Sequence, residues 1–369
     1  MSSTKKRSLA LLFGGRSCEH EVSVSSARSM LPHIDRTQFD ITLVGISKDG
    51  GWYLIDEHSN ALNQAVVTDK GIGQVLVDHT NQSRLLLLRD GQLQPLHVDV
   101  VFPLLHGPYG EDGTVQGLLD LAGIATVGCG VAGSAVGMDK ELSKRVFAAE
   151  QLPQLDYRVV QRSRWHDVPQ TVVDELQQQL QFPLYVKPAR MGSSVGVSRA
   201  DDVIGLRAAM HEAARFDTKI IIEAAAVGYR EVECAVLGNE QPQASVVGEI
   251  VPSNDFYDYE AKYLSTSSKV SIPADIDPAI TQRIQELATR AFRAVGASGL
   301  ARVDFFVGPD DSIVINEINT MPGFTPISMY PQLWAASGVS YPELVGRLAD
   351  LAVSRHAEQL RTEMTIELT

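Results

Sequence analysis

Hydrophobic and polar positions along the first third of the chain predict alternating strands and helices. Apolar runs in "SLALLFGG", "FDITLVGIS" and "VDVVFPLLHG" have the length of buried strands. Between them, "EVSVSSARSMLPHI" and "TVQGLLDLAG" carry apolar residues at the spacing of amphipathic helices. This alternation predicts a parallel sheet, with ligands at the carboxyl ends of its strands. Residues 56–95 depart from the pattern, because they are polar and irregular apart from the strand-like "RLLLLR".

The remaining two thirds of the chain predict smaller units in which strands and helices mix less regularly. Strands in "YRVVQRS", "LYVKPA" and "KIIIEA" are separated by helices and by the loop "RMGSSVGV", and longer strands follow. We therefore expect a parallel-sheet domain at residues 1–128, a small α+β domain at 129–223 and a C-terminal domain at 224–369. A polar loop at 253–270 interrupts the last of these.

Near the C-terminus, "ARVDFFVGPDDSIVINEIN" predicts a hairpin with Gly-Pro-Asp-Asp as its turn. In one register Asp304 lies opposite Glu317, and strand alternation puts Arg302 and Asn319 on the same face. Oxygen ligands in this arrangement suit Mg²⁺, which binds through a few carboxylates together with substrate phosphates. A solvated face, or an ion pair with Arg302, is the alternative. Unpaired carboxylates are costly to bury between the apolar flanks "FFV" and "IVI", which favours the metal site.

A magnesium site of this kind suggests a bound nucleotide, and candidate phosphate-binding residues lie earlier in the chain. Lys187 ends an apolar strand just before the Gly/Ser loop 192–196, whose backbone N–H groups could approach phosphate. Lys140 begins a helix that Asp139 could cap. Alternatively, the loop is a tight hairpin and Lys140 is a solvated helix lysine. The strand "KIIIEA" ends at Glu223, and Glu231 follows a short distance on. The two glutamates suit adenine and ribose, or else they lie on the surface.

Composition and charge narrow the class of protein. The 369 residues are 44% hydrophobic and 21% charged, as in a globular protein. The formal net charge of −13 argues against broad binding to nucleic acid or anionic membranes. The cysteines at 18, 129 and 234 are too far apart to suggest a disulfide framework or a zinc site, which favours the cytoplasm.

Taken in order, several motifs resemble those of the D-alanine–D-alanine ligases in the ATP-grasp superfamily. They are "GGRSCEHEVS", "HGPYGEDGTVQG", "MDK", "VKPARMGSSVGVS", "DFYDYEAKYLS", "ARVDFF" and "NEINTMPGFTPIS". The resemblance covers nearly the whole chain. It implies an ATP-grasp fold, α/β and α+β, with an N-terminal Rossmann-like domain. It also implies that the enzyme joins two D-alanines through an acyl phosphate, for peptidoglycan precursors.

The resemblance also implies roles for individual residues and cofactors. ATP and two Mg²⁺ ions are expected, with Mn²⁺ as a possible substitute, and a homodimer is expected. The implied metal ligands are Asp304, Glu317 and Asn319. The implied ATP-binding residues are Lys140, Lys187, Ser194, Glu223, Glu231 and Lys262. The implied catalytic residues are Glu21, Ser193, Tyr263, Arg302 and Gly323, with Glu21 holding the ammonium of the first D-alanine. His106, Ser328 and Met329 are implied to contact the D-alanines. Lys262 and Tyr263 fall on the polar loop, which would close the site as a lid, with Tyr263 linked to Ser193 and Glu21.

Two other functions stay open at this point. A sibling ligase would take D-lactate or D-serine as its second substrate, and the lid and "PISMY" would decide the choice. A tyrosine at position 263 resembles the dipeptide-forming type. A catalytically silent nucleotide-binding regulator is the third possibility, although such a protein has no need to keep this full set of charged residues.

Overall fold

A computed structural model gives the fold for residues 6–58, 62–63, 66–68, 71–80, 85–251 and 269–363. The described strands form three sheets of eight, four and five strands, in chain order. The three-domain boundaries stay a prediction. Among the described residues, no helix has both the length and the apolar character needed to cross a membrane.

The N-terminal sheet has the order β6-β5-β4-β3-β2-β1-β7-β8. Its strands are β1 Arg7–Gly14, β2 Phe39–Ile46, β3 Trp52–Ile55, β4 Gly73–Val77, β5 Leu85–Arg89, β6 Gln92–Leu96, β7 Val100–Pro103 and β8 Ala125–Thr126. Its helices are α1 His20–Met30 and α2 Thr114–Leu121, with a 3₁₀ turn at Leu31–His33. The predicted parallel sheet is confirmed for β2-β1-β7-β8. Within 56–95, the strand expected in "RLLLLR" is β5, but the prediction that the rest is irregular was wrong for β4 and β6. Together with β3, these strands extend the sheet in antiparallel order.

Two helices lead from this sheet into the central one. They are α3 Val131–Met138 and α4 Lys140–Ala149. The central sheet is antiparallel, in the order β11-β10-β12-β9. Its elements are β9 Tyr157–Gln161, α5 Arg162–Asp167, α6 Pro169–Gln179, β10 Leu184–Pro188, β11 Ser198–Ala200, α7 Val203–Phe216 and β12 Lys219–Ala224. A buried apolar cluster that includes Trp165 and Met210 fixes α6 and α7 against one face of this sheet, leaving Lys187 and Glu223 on the other.

The C-terminal sheet is antiparallel in the order β15-β14-β13-β16-β17. Its elements are β13 Arg230–Gly238, β14 Gln243–Val251, β15 Lys269–Ser271, α8 Pro278–Ala294, β16 Gly299–Val307 and β17 Ile313–Asn319. Helices α9 Met329–Ala336 and α10 Tyr341–Gln359 close the chain. Alternate residues of β13 and β16 pack on α8 in one apolar core, while the intervening residues face the other way.

The N-terminal sheet and the closing helices share a single core. Phe324 lies against Phe102 of β7 and against Tyr330 and Tyr341 of the closing helices, with ring centroids 5.3, 5.8 and 5.4 Å apart. Phe102, Phe324 and Tyr330 belong to one hydrophobic cluster, and Tyr341 packs against it. This packing sets the segment 320–328 between the end of β17 and the N-terminal sheet, where the three sheets converge.

Candidate active site

The predicted hairpin is β16 and β17, and its register is the expected one. Asp304 pairs with Glu317, and Arg302 pairs with Asn319. A β-bulge follows Asp304, which leaves Asn316 as the extra residue of β17. The two strands therefore present two carboxylates, an amide and a guanidinium side by side on the face that is turned away from the α8 core.

We call the group of Arg302, Asp304, Glu317 and Asn319 the acidic corner. Arg302 is the cation at its centre. Its Nε donates to Asp304 Oδ1 and its Nη2 to Asp304 Oδ2, both at 2.7 Å. Its Nε also lies 3.0 Å from Oε2 of Glu233 on β13. Burial alone would lower the pKa of Arg302, but the Asp304 and Glu233 carboxylates outweigh it and raise the pKa well above its usual value. Asn319 Nδ2 donates to Asp304 Oδ2 at 3.0 Å.

Lys140 connects this corner to the Gly/Ser loop. Asp139 caps α4, as predicted, by accepting from the backbone N–H groups of Glu141 and Leu142 at 3.1 Å. The cap turns Lys140 inward, where its Nζ donates to the carbonyl of Met191 at 3.0 Å and lies 3.3 Å from Glu317 Oε2. The interpretation of Lys140 as a solvated lysine is therefore wrong.

The second predicted lysine lies in a buried ion-pair triad. Lys187 Nζ donates to Glu223 Oε2 at 2.7 Å, and Lys144 of α4 donates to Glu223 Oε1. Glu223 is 1% exposed. Burial favours its protonated form, yet the two lysines lower its pKa, so it is a carboxylate. Burial likewise opposes the charge on Lys187, and Glu223 outweighs it, raising the pKa of that lysine. Glu223 is thus not a surface glutamate.

The Gly/Ser loop is a tight turn that approaches the N-terminal sheet. Ser193 and Ser194 both have left-handed backbones, with φ of 50° and 59°. Ser193 Oγ donates to Glu19 Oε1. A Cβ built on Gly192 would lie 2.5 Å from Glu19 Oε2, so a side chain at position 192 would displace this carboxylate. The carboxylate that meets the loop is therefore that of Glu19.

The prediction that Glu21 fills this position was wrong. Glu21 is on the outer side of α1, and its Oε1 accepts from Lys48 at 2.5 Å. Glu19 precedes the helix and is 5% exposed. Residues two apart at a helix start differ by about 200° in direction, so the two carboxylates cannot reach the same ligand.

His106 lies beside Glu19 at the end of β7. It is 6% exposed, and its Nε2 lies 3.2 Å from Ser26 Oγ. Burial lowers its pKa, against the opposing effect of Glu19, so the imidazole is neutral. The following loop brings a second carboxylate close, since the backbone N–H of Gly107 donates to Glu111 Oε2 at 2.6 Å.

The segment after β17 supplies backbone groups. A Cβ built on Gly323 would lie 3.1 Å from Ser328 Oγ, so these two predicted residues are neighbours. Ser328 Oγ accepts from the backbone N–H of Thr325 at 3.1 Å, which folds the turn onto the start of α9. The side chain of Met329 is buried in the shared core, which leaves its backbone as the part able to meet a ligand.

Comparisons with known proteins match both the N-terminal and the C-terminal parts of the chain to the same kind of enzyme. The family models described as D-ala D-ala ligase N-terminus and C-terminus match residues 8–129 and 146–350. The D-alanine--D-alanine ligase of Heliobacterium modesticaldum is 47% identical over 359 residues, covering 96% of this chain and 97% of its own. This chain belongs to the D-alanine–D-alanine ligase family. The family's ligase of Acetivibrio thermocellus is 46% identical over 370 residues, covering 96% and 98% of the two chains.

Solved structures of the ligase family share the fold. The D-alanine-D-alanine ligase from Coxiella burnetii superposes with a TM-score of 0.83 at 35% identity, over 97% of both chains. The VanG D-Ala:D-Ser ligase from Enterococcus faecalis also has a TM-score of 0.83, at 37% identity over 94% of this chain and 100% of its own. The predicted ATP-grasp fold is confirmed.

The donor atoms of the acidic corner fit the magnesium chemistry of a ligase of this superfamily. Mg²⁺ prefers oxygen ligands and is commonly completed by substrate phosphates. Asp304 and Glu317 supply carboxylate oxygens, and Asn319 supplies its amide oxygen, since its contact with Asp304 uses Nδ2. In the part of the chain that the structure describes, no three histidine, cysteine, aspartate or glutamate side chains surround a common metal position. Two carboxylates and an amide leave coordination positions that substrate oxygens would complete.

Sequence reasoning missed four charged residues that the structure places in or beside this cluster, Glu19, Glu111, Lys144 and Glu233. For Lys144 and Glu233, the spacing from predicted site residues was a usable sequence signal. Lys144 is one helical turn after Lys140, and Glu233 is two strand positions after Glu231. The side chain of Glu231 is half-buried on β13, on the same face as Glu233. Two predicted site residues, Lys262 and Tyr263, and most of the predicted lid at 253–270 lie outside the described residues.

Proposed function

We propose that this protein joins two D-alanines to D-alanyl-D-alanine at the expense of ATP. Family membership supports the reaction, and one geometric observation supports its location. Lys140 contacts both Glu317 of the acidic corner and the Met191 carbonyl at the Gly/Ser loop. A single cation therefore lies between the metal-type oxygens and the loop whose backbone can approach phosphate, which is where the terminal phosphate of ATP would transfer.

The first step needs screening of like charges. The carboxylate of one D-alanine attacks the γ-phosphorus, forming an acyl phosphate and releasing ADP. Lys140 and Lys187 neutralise the phosphates, and Ser194 and its loop hold them through hydrogen bonds. Glu223 and Glu231 would contact the adenine and ribose. Mg²⁺ bound by Asp304, Glu317 and Asn319 would supply further positive charge at the transferring phosphate.

In the second step, the amine of the other D-alanine attacks the acyl phosphate and the tetrahedral intermediate releases phosphate. Arg302 and the backbone N–H of Gly323 would stabilise the oxyanion. We assign Glu19, fixed by Ser193, to the ammonium of the first D-alanine in place of Glu21. His106 would complete that subsite as a neutral hydrogen-bonding group.

The second D-alanine would be held by its carboxylate. Ser328 and the backbone of Met329 stand at the N-terminus of α9, where an anion is favoured. Lys262 and Tyr263 would close the site from the lid and exclude water, which would otherwise hydrolyse the acyl phosphate.

The test is product identity. Purified protein is incubated with ATP, Mg²⁺ and D-alanine, and ADP and dipeptide are measured. Dipeptide and ADP formed in equal amounts are expected, and absence of ADP above background contradicts the proposal. Parallel incubations with D-serine or D-lactate decide the second substrate. The VanG D-Ala:D-Ser ligase, at 37% identity, is more distant than the Heliobacterium modesticaldum ligase, at 47%, so dipeptide of D-alanine alone is expected to dominate.

Finer features are part of the same proposal. Two Mg²⁺ ions, replaceable by Mn²⁺, and a homodimer are supported by the family resemblance. Cytoplasmic location is supported by the cysteines at 18, 129 and 234, which are all free, as expected in a reducing compartment. The domains at residues 1–128, 129–223 and 224–369 are supported by the three sheets.

A further inference from the structure

We propose that Glu233 is a positioning residue that keeps Arg302 in place when Asp304 turns to the metal. The inference rests on the proposed function, because it assigns Arg302 to the oxyanion and Asp304 to Mg²⁺. Glu233 itself touches neither substrate nor metal in this scheme. It acts through the guanidinium beside it.

Glu233 is built into the acidic corner by strand pairing. On β13 it lies directly opposite Asp304 of β16, and Asp304 lies directly opposite Glu317 of β17. Residues directly opposite each other in a sheet share a face, so three carboxylates stand in a row across three strands. Glu233 and Asp304 are 3% exposed each. Buried carboxylates of this kind need a partner, and Arg302 contacts both of these.

Metal ligation disturbs this pairing on one side only. Both oxygens of Asp304 now accept from Arg302, and Oδ2 also accepts from Asn319. A metal ion must compete with the guanidinium for these oxygens, because both are cations. As Asp304 turns to the metal, Arg302 loses its bidentate partner. The Glu233 contact at 3.0 Å is made by the same Nε that donates to Asp304 Oδ1. When Asp304 leaves, the Nε–H can turn to Glu233, which holds the guanidinium in the corner.

Without Glu233, the same exchange has a different outcome. Arg302 would have only Asp304 of these two carboxylates. Metal binding would then either leave a buried cation without both of them or become weaker. Glu233 therefore favours metal binding, because it pairs with Arg302 when Asp304 binds the metal. It also favours oxyanion stabilisation, because it keeps the guanidinium in place.

The experiment compares Glu233→Gln with Glu249→Gln, a matched control. Glu249 is also paired with an arginine, Arg230 at 2.6 Å, but it lies on β14 away from the corner. For Glu233→Gln we expect kcat to fall about tenfold or more with the KM for ATP changed less than about threefold, since a misplaced catalytic group costs turnover before binding. We also expect Mn²⁺ to bind several-fold more weakly to the ADP complex, measured by electron paramagnetic resonance without turnover. The control variant should match the wild type in both.

A double-mutant cycle separates positioning from a merely structural role. Arg302→Lys keeps the charge but not the forked geometry. If Glu233 acts through Arg302, then Glu233→Gln should lower kcat little further in the Arg302→Lys background. Full additivity, or wild-type kcat and Mn²⁺ affinity in Glu233→Gln, would overturn the inference. Should Arg302→Lys not fold, the kcat and Mn²⁺ results for Glu233→Gln still decide. A wild type that releases no ADP with D-alanine defeats the proposed function instead, while Mn²⁺ binding still tests Glu233.

Discussion

Replacing Glu111 by Gln should remove much of the decline in stability that the protein shows on going from mildly acidic to mildly alkaline pH. Burial and the nearby Glu19 carboxylate raise the pKa of Glu111 from 4.5 to about 8. The backbone N–H of Gly107 and the charge of Lys140 act in the opposite direction and are outweighed. Near neutral pH the folded protein therefore holds a proton on Glu111 that the unfolded chain releases.

The sign and the size of the effect follow from proton linkage. Because the folded-state pKa is the higher one, this stabilisation is fully present below pH 4.5, declines as the pH rises and is lost above about pH 8. A tenfold change in proton affinity corresponds to about 1.4 kcal/mol, which sets an upper bound of about 5 kcal/mol. Glu111 is half-buried, so solvent screening reduces the expected change to about 2–4 kcal/mol.

Urea denaturation of the wild type and of Glu111→Gln at pH 5, 6, 7 and 8.5 measures this difference. The wild type should lose about 2–4 kcal/mol relative to the variant across that series. Asp35→Asn is the control, since Asp35 is exposed and hydrogen bonds from Thr37 and Gln38 lower its pKa, which places its effect below pH 4. Parallel pH profiles for the wild type and Glu111→Gln would refute the reasoning.

Three further substitutions test the site. Ser193→Ala removes the hydrogen bond to Glu19, and we expect kcat/KM for D-alanine to fall about tenfold in an ADP-release assay while the thermal midpoint changes little; an unchanged kcat/KM would contradict the role of the pair. Glu317→Gln removes a proposed metal charge, so turnover should fall about a hundredfold or more with unfolding free energy within about 1 kcal/mol of the wild type; wild-type turnover would exclude the metal assignment. Lys144→Met leaves Glu223 with Lys187 as its remaining lysine partner in the triad and should cost about 3 kcal/mol in urea denaturation. Adding Glu223→Leu should not restore ATP binding even where it restores stability, and an additive loss of stability in the double variant would argue against the pairing.

The acidic corner could be predicted because strand geometry is local. A period of two along each strand and a four-residue turn were enough to place Asp304 opposite Glu317, and the structure has that pairing. The bulge that follows was not predicted, since it depends on how β17 packs against its neighbours. Asn316 consequently faces Lys187, with Nζ 3.4 Å from its Oδ1.

Contacts between distant segments were not predictable in the same way. Glu19 and Glu21 flank one histidine, and local sequence does not say where the helix begins or which carboxylate faces the sheet. The contact that identifies Glu19 as the inward-facing carboxylate is its hydrogen bond from Ser193, which is 174 positions away. Likewise, the raised pKa of Glu111 arises from burial and from the closeness of Glu19 on another loop. The strands β3, β4 and β6 were missed because four or five residues are too few to establish an alternating pattern.

The charged side chains of the site form ion pairs with one another, and a ligand can replace one partner of a pair. Lys187 shares Glu223 with Lys144, and Lys140 reaches Glu317. The Lys187–Glu223 and Lys140–Glu317 contacts each join a proposed phosphate-binding lysine to a carboxylate. A nucleotide that arrives with its metal can therefore replace a partner of each sign. An exchange of partners costs less than stripping water from isolated charges, because the desolvation has already occurred on folding. The fold therefore keeps these lysines and carboxylates largely buried and oriented, which is the preorganisation that a reaction between two anions requires.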